Sequence, residues 1–241
     1  MTGRVHPTRR EMLLLGLTVG AASTDAVSYL GLGHVFPANM TGNTVLLAVG
    51  VTTADYAAAL RSLIALTGFL LGATAAAYVT ATDSEDSAAR TIYALFAELV
   101  MLIGGAVWWL VTGIHKSGST IQLGVIALFG MAMGAQSAAI ARIGAPVTTT
   151  FITGTWTQVS TWVAGLLHGG ARRRPAQRSD RADHVLQAAV VVCYLAAALS
   201  TGYLFRVAGR ATAFLPCTTT AIVCAAGLRR SVRAPALERK D

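Results

Sequence analysis

The chain has 241 residues, of which 54% are hydrophobic and 12% are charged. Because an average soluble domain carries about 25% charged residues, this composition excludes an ordinary soluble fold and predicts one integral membrane domain over residues 1–241. The formal net charge of +8 would suit a nucleic-acid binder. However, the basic residues lie at the tips of apolar segments without interleaved aromatic residues, so the positive-inside rule explains them and no nucleic-acid partner is expected.

Apolar segments follow one another along the chain. They cover residues 12–33, 40–51, 55–78, 91–111, 121–143, 148–167, 184–206 and 211–228. Most are long enough to cross a hydrocarbon core of about 30 Å as a helix, whereas 40–51 would span only ~18 Å. Pro37 allows a new helix to start there, with Asn39 or Thr41 as its N-cap. The predicted fold class is all-α, a polytopic membrane helix bundle with about six to eight membrane helices.

A polar motif occurs twice in this apolar background. In the first half, Asp25 lies deep inside a segment and is followed by Thr41-Gly42. In the second half, Gln136 occupies the corresponding place and is followed by Thr153-Gly154. Repeated motifs predict an internal duplication with a polar site where the two copies meet. The predicted repeats cover residues 11–113 and 119–230.

Two topologies fit such a duplication. If both Thr-Gly motif helices cross the membrane, about eight spans form two parallel repeats; if both are short or re-entrant, about six spans form two inverted repeats. In both topologies the positive-inside rule places the N- and C-termini in the cytoplasm. The basic residues behind this orientation are Arg4, Arg9, Arg10, Arg172, Arg173, Arg174, Arg178, Arg181, Arg229, Arg230, Arg233, Arg239 and Lys240.

The first motif resembles that of a known family. The pattern Asp25-Ala26-x-Ser28, followed by Phe36-x-Ala38-x-Met40-Thr41-Gly42-Asn43-Thr44, is similar to the YoaK-like family of bacterial multi-pass membrane proteins, and Thr149-Thr150-x-x-Thr153-Gly154-Thr155 fits the same family. Gln136-Ser137 departs from the Asn-Ala pair expected there. The resemblance implies about six spans in a bacterial plasma (inner) membrane. It supplies no substrate, because the family is a domain of unknown function.

Two acidic residues lie inside predicted membrane segments. An ionised carboxylate at the depth of Asp25 costs about 3 kcal/mol, so such a residue normally faces a cavity or a partner. Asp25 is therefore a candidate proton or cation site, or a partner of Arg142. The alternative is a structural hydrogen bond to the backbone at the start of the motif helix. Glu98 is a candidate proton carrier or a partner of a neighbouring helix, and Arg142 can instead extend to the interface.

The Thr-Gly turns have a physical use as helix starts. A helix N-terminus exposes N–H groups and a partial positive charge, which can hold a small polar or anionic solute. The alternative is hydrogen bonding between helices, which Ser and Thr commonly provide in membranes. The candidate substrate-binding residues are Asp25, Asn39, Thr41, Gly42, Asn43, Thr44, Gln136, Arg142, Thr150, Thr153, Gly154 and Thr155, with Asp25 and Glu98 as candidates for proton or ion coupling.

The function predicted is that of a secondary transporter or exporter of a small solute, with a site between the repeats. No metal-ligand pair, nucleotide-binding loop or nucleophile motif occurs, so no catalytic residue, metal or cofactor is expected, and the protein is predicted not to be an enzyme. The alternatives are an intramembrane enzyme acting on lipid, with Asp25 or Glu98 as base, and a non-catalytic membrane partner protein. The expected partners are the lipid bilayer and a second copy, bound through the Gly68-x-x-x-Gly72 face.

Overall fold

The computed structural model describes residues 8–81, 87–112, 119–142, 152–167 and 178–237, and this part of the chain is all-helical. The helices are α1 (Arg9–Gly31), α2 (Met40–Thr52), α3 (Tyr56–Thr80), α4 (Ser87–Thr112), α5 (Thr120–Arg142), α6 (Ile152–Leu167), α7 (Arg178–Ala208) and α8 (Phe214–Leu237), with a 3-10 turn at Gly209–Ala213. The predicted all-α class is confirmed.

Five helical stretches in the described residues are long and apolar enough to cross a membrane. They are Arg9–Gly31, Tyr56–Thr80, Ala89–Thr112, Thr120–Arg142 and Asp183–Leu228. The last has 46 residues and contains most of α7 and α8, which leaves room for two passes. The helices α2 and α6 are shorter, with 13 and 16 residues. Side chains that are 65% to 77% exposed on the outside of the bundle, where lipid covers them, include Leu70, Val111, Leu199 and Ile222.

Helix α1 packs against both α7 and α8. Its direction matches that of α7, since Cys193 Sγ lies 3.8 Å from the Leu15 carbonyl oxygen. Eight residues further along both helices, the Thr201 hydroxyl donates to Ser23 Oγ at 3.0 Å. The two helices are therefore parallel.

Helix α8 runs the other way. The Arg9 guanidinium donates to the Ala226 carbonyl, and further along α1 a Cβ on Gly20 would lie 3.1 Å from Thr219 Oγ1. Later residues of α1 therefore contact earlier residues of α8. Helix α8 is antiparallel to α1 and, because α7 is parallel to α1, also to α7. The beginning of α1 and the far part of α8 consequently lie at the same end of the bundle.

Helix α5 is antiparallel to α1. The Gln122 side-chain amide donates to the Leu32 carbonyl at 2.9 Å, and the Gln136 amide donates to the Leu17 carbonyl at 3.3 Å. Both are glutamines of α5, and they meet α1 just beyond its C-terminal end and near its middle. A third helix, α3, packs along α5.

Glycine residues allow α3 and α5 to pack backbone to backbone. A Cβ on Gly72 would lie 2.0 Å from the Met131 carbonyl oxygen, and one on Gly134 would lie 2.1 Å from the Phe69 carbonyl oxygen. The Gly68-x-x-x-Gly72 face is thus buried inside the chain against α5. The expectation that this face binds a second copy is wrong, because the close contact that it permits is already made within one molecule. A homodimer formed through another surface stays a prediction.

The helix pairs occur in matching sets. Helix α3 packs on α5 as α7 packs on α1, and α4 packs on α5 as α8 packs on α1. In the same way α2 packs on α3 and α6 on α7, while α4 and α8 meet each other.

Candidate functional site

The chain turns back on itself directly after α1. The His34 N–H donates to the Tyr29 carbonyl at 3.2 Å, as in a Schellman motif. Gly33 and His34 both have left-handed backbones, with φ of 86° and 63°. Gly33 is needed for a second reason, since a Cβ there would lie 2.6 Å from Arg61 Nε. Two successive left-handed residues reverse the chain, so residues 35–39 run back beside α1.

Asp25 holds this returning segment in place. Its Oδ1 accepts the Ala38 N–H at 2.7 Å, and its Oδ2 accepts the Tyr194 hydroxyl of α7 at 2.7 Å. The residue is only 3% exposed. Because Asp25 precedes Gly31 by six residues, the start of α2 lies about 9 Å inside the end of α1. The alternative role considered for Asp25, a hydrogen bond to the backbone at the start of the motif helix, is the contact observed.

The pairing of Asp25 with Arg142 is wrong. Leu17 and Gln136 are hydrogen-bonded, so they lie at the same height in the bundle. Asp25 lies eight residues beyond Leu17 on α1. Arg142 lies six residues beyond Gln136 on α5, which runs in the opposite direction. At 1.5 Å per residue the two are separated by about 20 Å along the bundle. Arg142 Nε instead donates to the Thr80 carbonyl of α3 at 2.8 Å.

The amides of the first motif stabilise its backbone. The buried Asn43 side chain accepts the Phe36 N–H at 3.0 Å and donates to the Phe36 carbonyl at 2.6 Å. Asn39 is the N-cap of α2, as predicted, and accepts the Gly42 N–H at 3.2 Å. Thr41 and Thr44 are exposed. The amides of Asn39 and Asn43 therefore stabilise the loop before α2 and the first turn of that helix.

The Asn43→Ala substitution is expected to lower the thermal unfolding midpoint clearly in lipid nanodiscs. It leaves the N–H and carbonyl of Phe36 without the Asn43 side chain in a part-buried place, at a cost of about 2 kcal/mol or more. Asn39→Ala, which removes an exposed cap worth about 1 kcal/mol, is the matched control. Equal midpoints for the two variants would contradict this account of Asn43.

The second motif lies elsewhere in the bundle. Gln136 is fully buried against α1, and Thr150 lies outside the described residues. Within α6, Gly154 is half-buried and Thr155 is buried, while the side chain of Thr153 is outside what the structure describes. Helix α2 of the first motif packs on α3, and α6 of the second packs on α7. A role for these residues in solute binding stays a prediction.

Glu98 is buried at mid-depth between α4 and α8. Its exposed fraction is 0%, and its Oε1 accepts the Thr220 hydroxyl at 3.1 Å. Thr220 Oγ1 would lie 3.5 Å from a Cβ on Gly20, the central residue of α1. Within the described residues, Oε2 of Glu98 accepts no hydrogen bond. Asp25 bonds to α7 and Glu98 to α8, so the two acids belong to separate contacts.

Sequence reasoning missed three polar residues that matter here. Tyr194 and Thr220 are the side-chain partners of the two acids, and nothing in their own segments distinguishes them from other hydroxyl residues of membrane helices. Arg61 is only 7% exposed, six residues beyond Asp55. A charge inside the predicted segment 55–78 was the signal that could have identified it.

Comparison with known proteins assigns the chain to a family. Residues 13–226 match a family model described as "Protein of unknown function (DUF1275)". The chain belongs to the DUF1275 family. A curated relative, the UPF0700 transmembrane protein YoaK of Bacillus subtilis (strain 168), is 28% identical over 192 residues, which cover 79% of this chain and 81% of the relative. No solved structure matches. The YoaK-like resemblance is confirmed, and this DUF1275 chain is a multi-pass membrane protein.

Proposed function

We propose that this protein is a secondary transporter or exporter of a small solute, built from two inverted repeats. The matching helix pairs support this arrangement, because the contacts of α2 with α3, α3 with α5 and α4 with α5 correspond to those of α6 with α7, α7 with α1 and α8 with α1. Equivalent helices of inverted repeats run in opposite directions across the membrane, as α1 and α5 do. In this topology α1, α3, α4, α5, α7 and α8 cross the membrane, and α2 and α6 do not.

The position of α2 supports a transporter as well. A short helix that begins inside the bundle, after an irregular segment held by buried polar side chains, is typical of discontinuous transporter helices. Here the Asp25 carboxylate and the Asn43 amide bind the backbone of residues 36–38. The start of α2 is thereby fixed to α1 and α7, which belong to different repeats.

Glu98 is the observation that carries the proposal. A carboxyl group at mid-depth in a membrane protein is costly, and such residues mark proton or ion pathways. Glu98 lies where α4 of one repeat meets α8 of the other, and its Oε2 offers an unused acceptor. Proton binding there would change the charge at the contact between repeats. A coupling role for Asp25 also stays a prediction, although both of its oxygens already accept hydrogen bonds.

The basic residues support an orientation with both termini in the cytoplasm of a bacterium. Arg9 and Arg10 lie at the beginning of α1, and Arg9 reaches the far part of α8. Arg9 and Arg10 therefore lie at the same end of the bundle as the far part of α8. The positive-inside rule places this end on the cytoplasmic side of the inner membrane. The proposal assigns no catalytic residue or cofactor.

The test is proton movement in proteoliposomes that contain a pH-sensitive dye. We expect at least one class in a panel of amino acids, small carboxylates, amines, sugars and phosphate to drive proton flux in the wild-type protein. Glu98→Gln keeps the size of the side chain and removes its charge, so the flux should fall about tenfold or more. Asp183→Asn, which removes a partly exposed acid near the start of α7, should leave it unchanged.

Two results would count against the proposal. One is a folded wild-type protein that moves no proton with any member of the panel. The other is a Glu98→Gln variant whose solute-driven flux equals that of the wild type.

A further inference from the structure

A cavity of about 350 Å³ opens at the end of the bundle where α1 finishes. It lies between the chain reversal after α1, the helix α2 and the first two turns of α3. Its polar lining includes His34, Thr53, Asp55, Arg61 and Ser62. Cavities of this size suit small ligands, which a few polar groups hold in a fixed orientation.

Arg61 is the buried charge of this cavity. It is 7% exposed and its neighbour Ser62 is 1% exposed, so both lie at the inner part of the lining. The Nε of Arg61 donates to the Gly33 carbonyl at 3.0 Å, which fixes the plane of the guanidinium. A guanidinium held in this way is suited to carboxylates, because its parallel N–H groups match the two carboxylate oxygens.

Asp55 lies at the exposed rim of the same cavity. Its Oδ1 accepts the Ala58 N–H at 3.0 Å, so the carboxylate caps the first turn of α3. The partial positive charge of that helix start offsets the negative charge of Asp55. The carboxylate of Asp55 is thus engaged at the helix start, whereas Arg61 lies at the inner part of the lining.

We infer that this cavity binds a small solute bearing a carboxylate, and that the Arg61 guanidinium holds the carboxylate. The inference deepens the proposed function and rests on it for the role of the bound solute as cargo. Binding itself is measurable without transport.

The experiment measures binding to the full-length protein in lipid nanodiscs by thermal shift and isothermal titration. The probes are acetate, alanine and succinate, with chloride and methylammonium at matched ionic strength as ligands without a carboxylate. We expect at least one carboxylate to raise the unfolding midpoint in a saturable way. Arg61→Gln should weaken that binding about tenfold or more. Arg90→Gln removes an arginine outside the cavity and should not change it.

A second variant covers the case in which Arg61→Gln does not fold, since Arg61 also binds Gly33. Val49→Trp adds bulk at the cavity wall and retains Arg61, and it should abolish carboxylate binding. The inference is overturned if no carboxylate binds better than chloride, or if Val49→Trp or a folded Arg61→Gln binds as the wild type does. If a carboxylate binds but no member of the solute panel drives proton flux in proteoliposomes, the transporter proposal fails and the binding site stands.

Discussion

Asp25→Ala is expected to destabilise the protein by roughly 2–6 kcal/mol, because one buried and one part-buried donor lose their acceptor at about 1–3 kcal/mol each. The donors are the Ala38 N–H and the Tyr194 hydroxyl, both at 2.7 Å from the carboxylate. Without the carboxylate, the segment before α2 is no longer tied to α1 and α7. The measurement is the unfolding midpoint in lipid nanodiscs, together with protease sensitivity around residues 35–39.

Asp25→Asn and Tyr194→Phe are the matched variants. An asparagine oxygen can still accept the Ala38 N–H and its amide can donate to the Tyr194 oxygen, so the stability should stay near that of the wild type. Tyr194→Phe leaves one oxygen of the buried carboxylate without its donor and should cost about 1–3 kcal/mol. If Asp25→Ala has the same unfolding midpoint as the wild-type protein, Asp25 does not stabilise the segment before α2. The structural role is distinguished from the predicted ion coupling by measuring solute-driven proton flux in Asp25→Asn. Ion coupling through Asp25 requires that this variant lose the flux, whereas a purely structural role requires that it keep the flux.

Gly134→Leu is expected to prevent assembly of the bundle. A Cβ at this position would lie 2.1 Å from the Phe69 carbonyl oxygen and 2.8 Å from the Ala73 nitrogen. Both are backbone atoms of α3 and cannot move aside like a side chain, so α3 and α5 would have to separate. The cost should exceed about 3 kcal/mol, the upper part of the usual range for overpacking. The measurement is the yield of monodisperse protein on size exclusion and its unfolding midpoint.

Gly104→Leu is the control for this substitution. Gly104 lies on an exposed face of α4, and a Cβ there meets nothing within 4 Å. The added side chain should contact lipid and leave the yield unchanged. Equal yields for the two variants would show that the close packing of α3 and α5 does not support the fold.

Most of the local structure could be predicted from the sequence. The predicted segments 12–33 and 40–51 correspond to α1 at Arg9–Gly31 and α2 at Met40–Thr52, and Asn39 caps α2 as expected. Helices in a membrane must satisfy their own backbone hydrogen bonds and present apolar side chains to lipid. Segment length, apolar runs and capping residues are therefore local properties of the chain, and so is the motif that marks the family.

The candidate site depended on which helices meet, and a local pattern holds no such information. Asp25 bonds to Tyr194, 169 positions away, and not to Arg142. The Thr-Gly motifs repeat in sequence, but α1 and α5 are antiparallel, so the C-terminal ends of these two helices lie at opposite ends of the bundle.

The amino-acid sequence alone determined the class of protein, the helix positions and the family, because hydrophobic length and capping act over a few neighbouring residues. Only the tertiary structure decided the partners of Asp25 and Glu98, the burial of the Gly68–Gly72 face and the cavity around Arg61. These depend on close packing between distant helices, where a glycine or a single hydrogen-bond donor selects one neighbour among several apolar surfaces of similar composition.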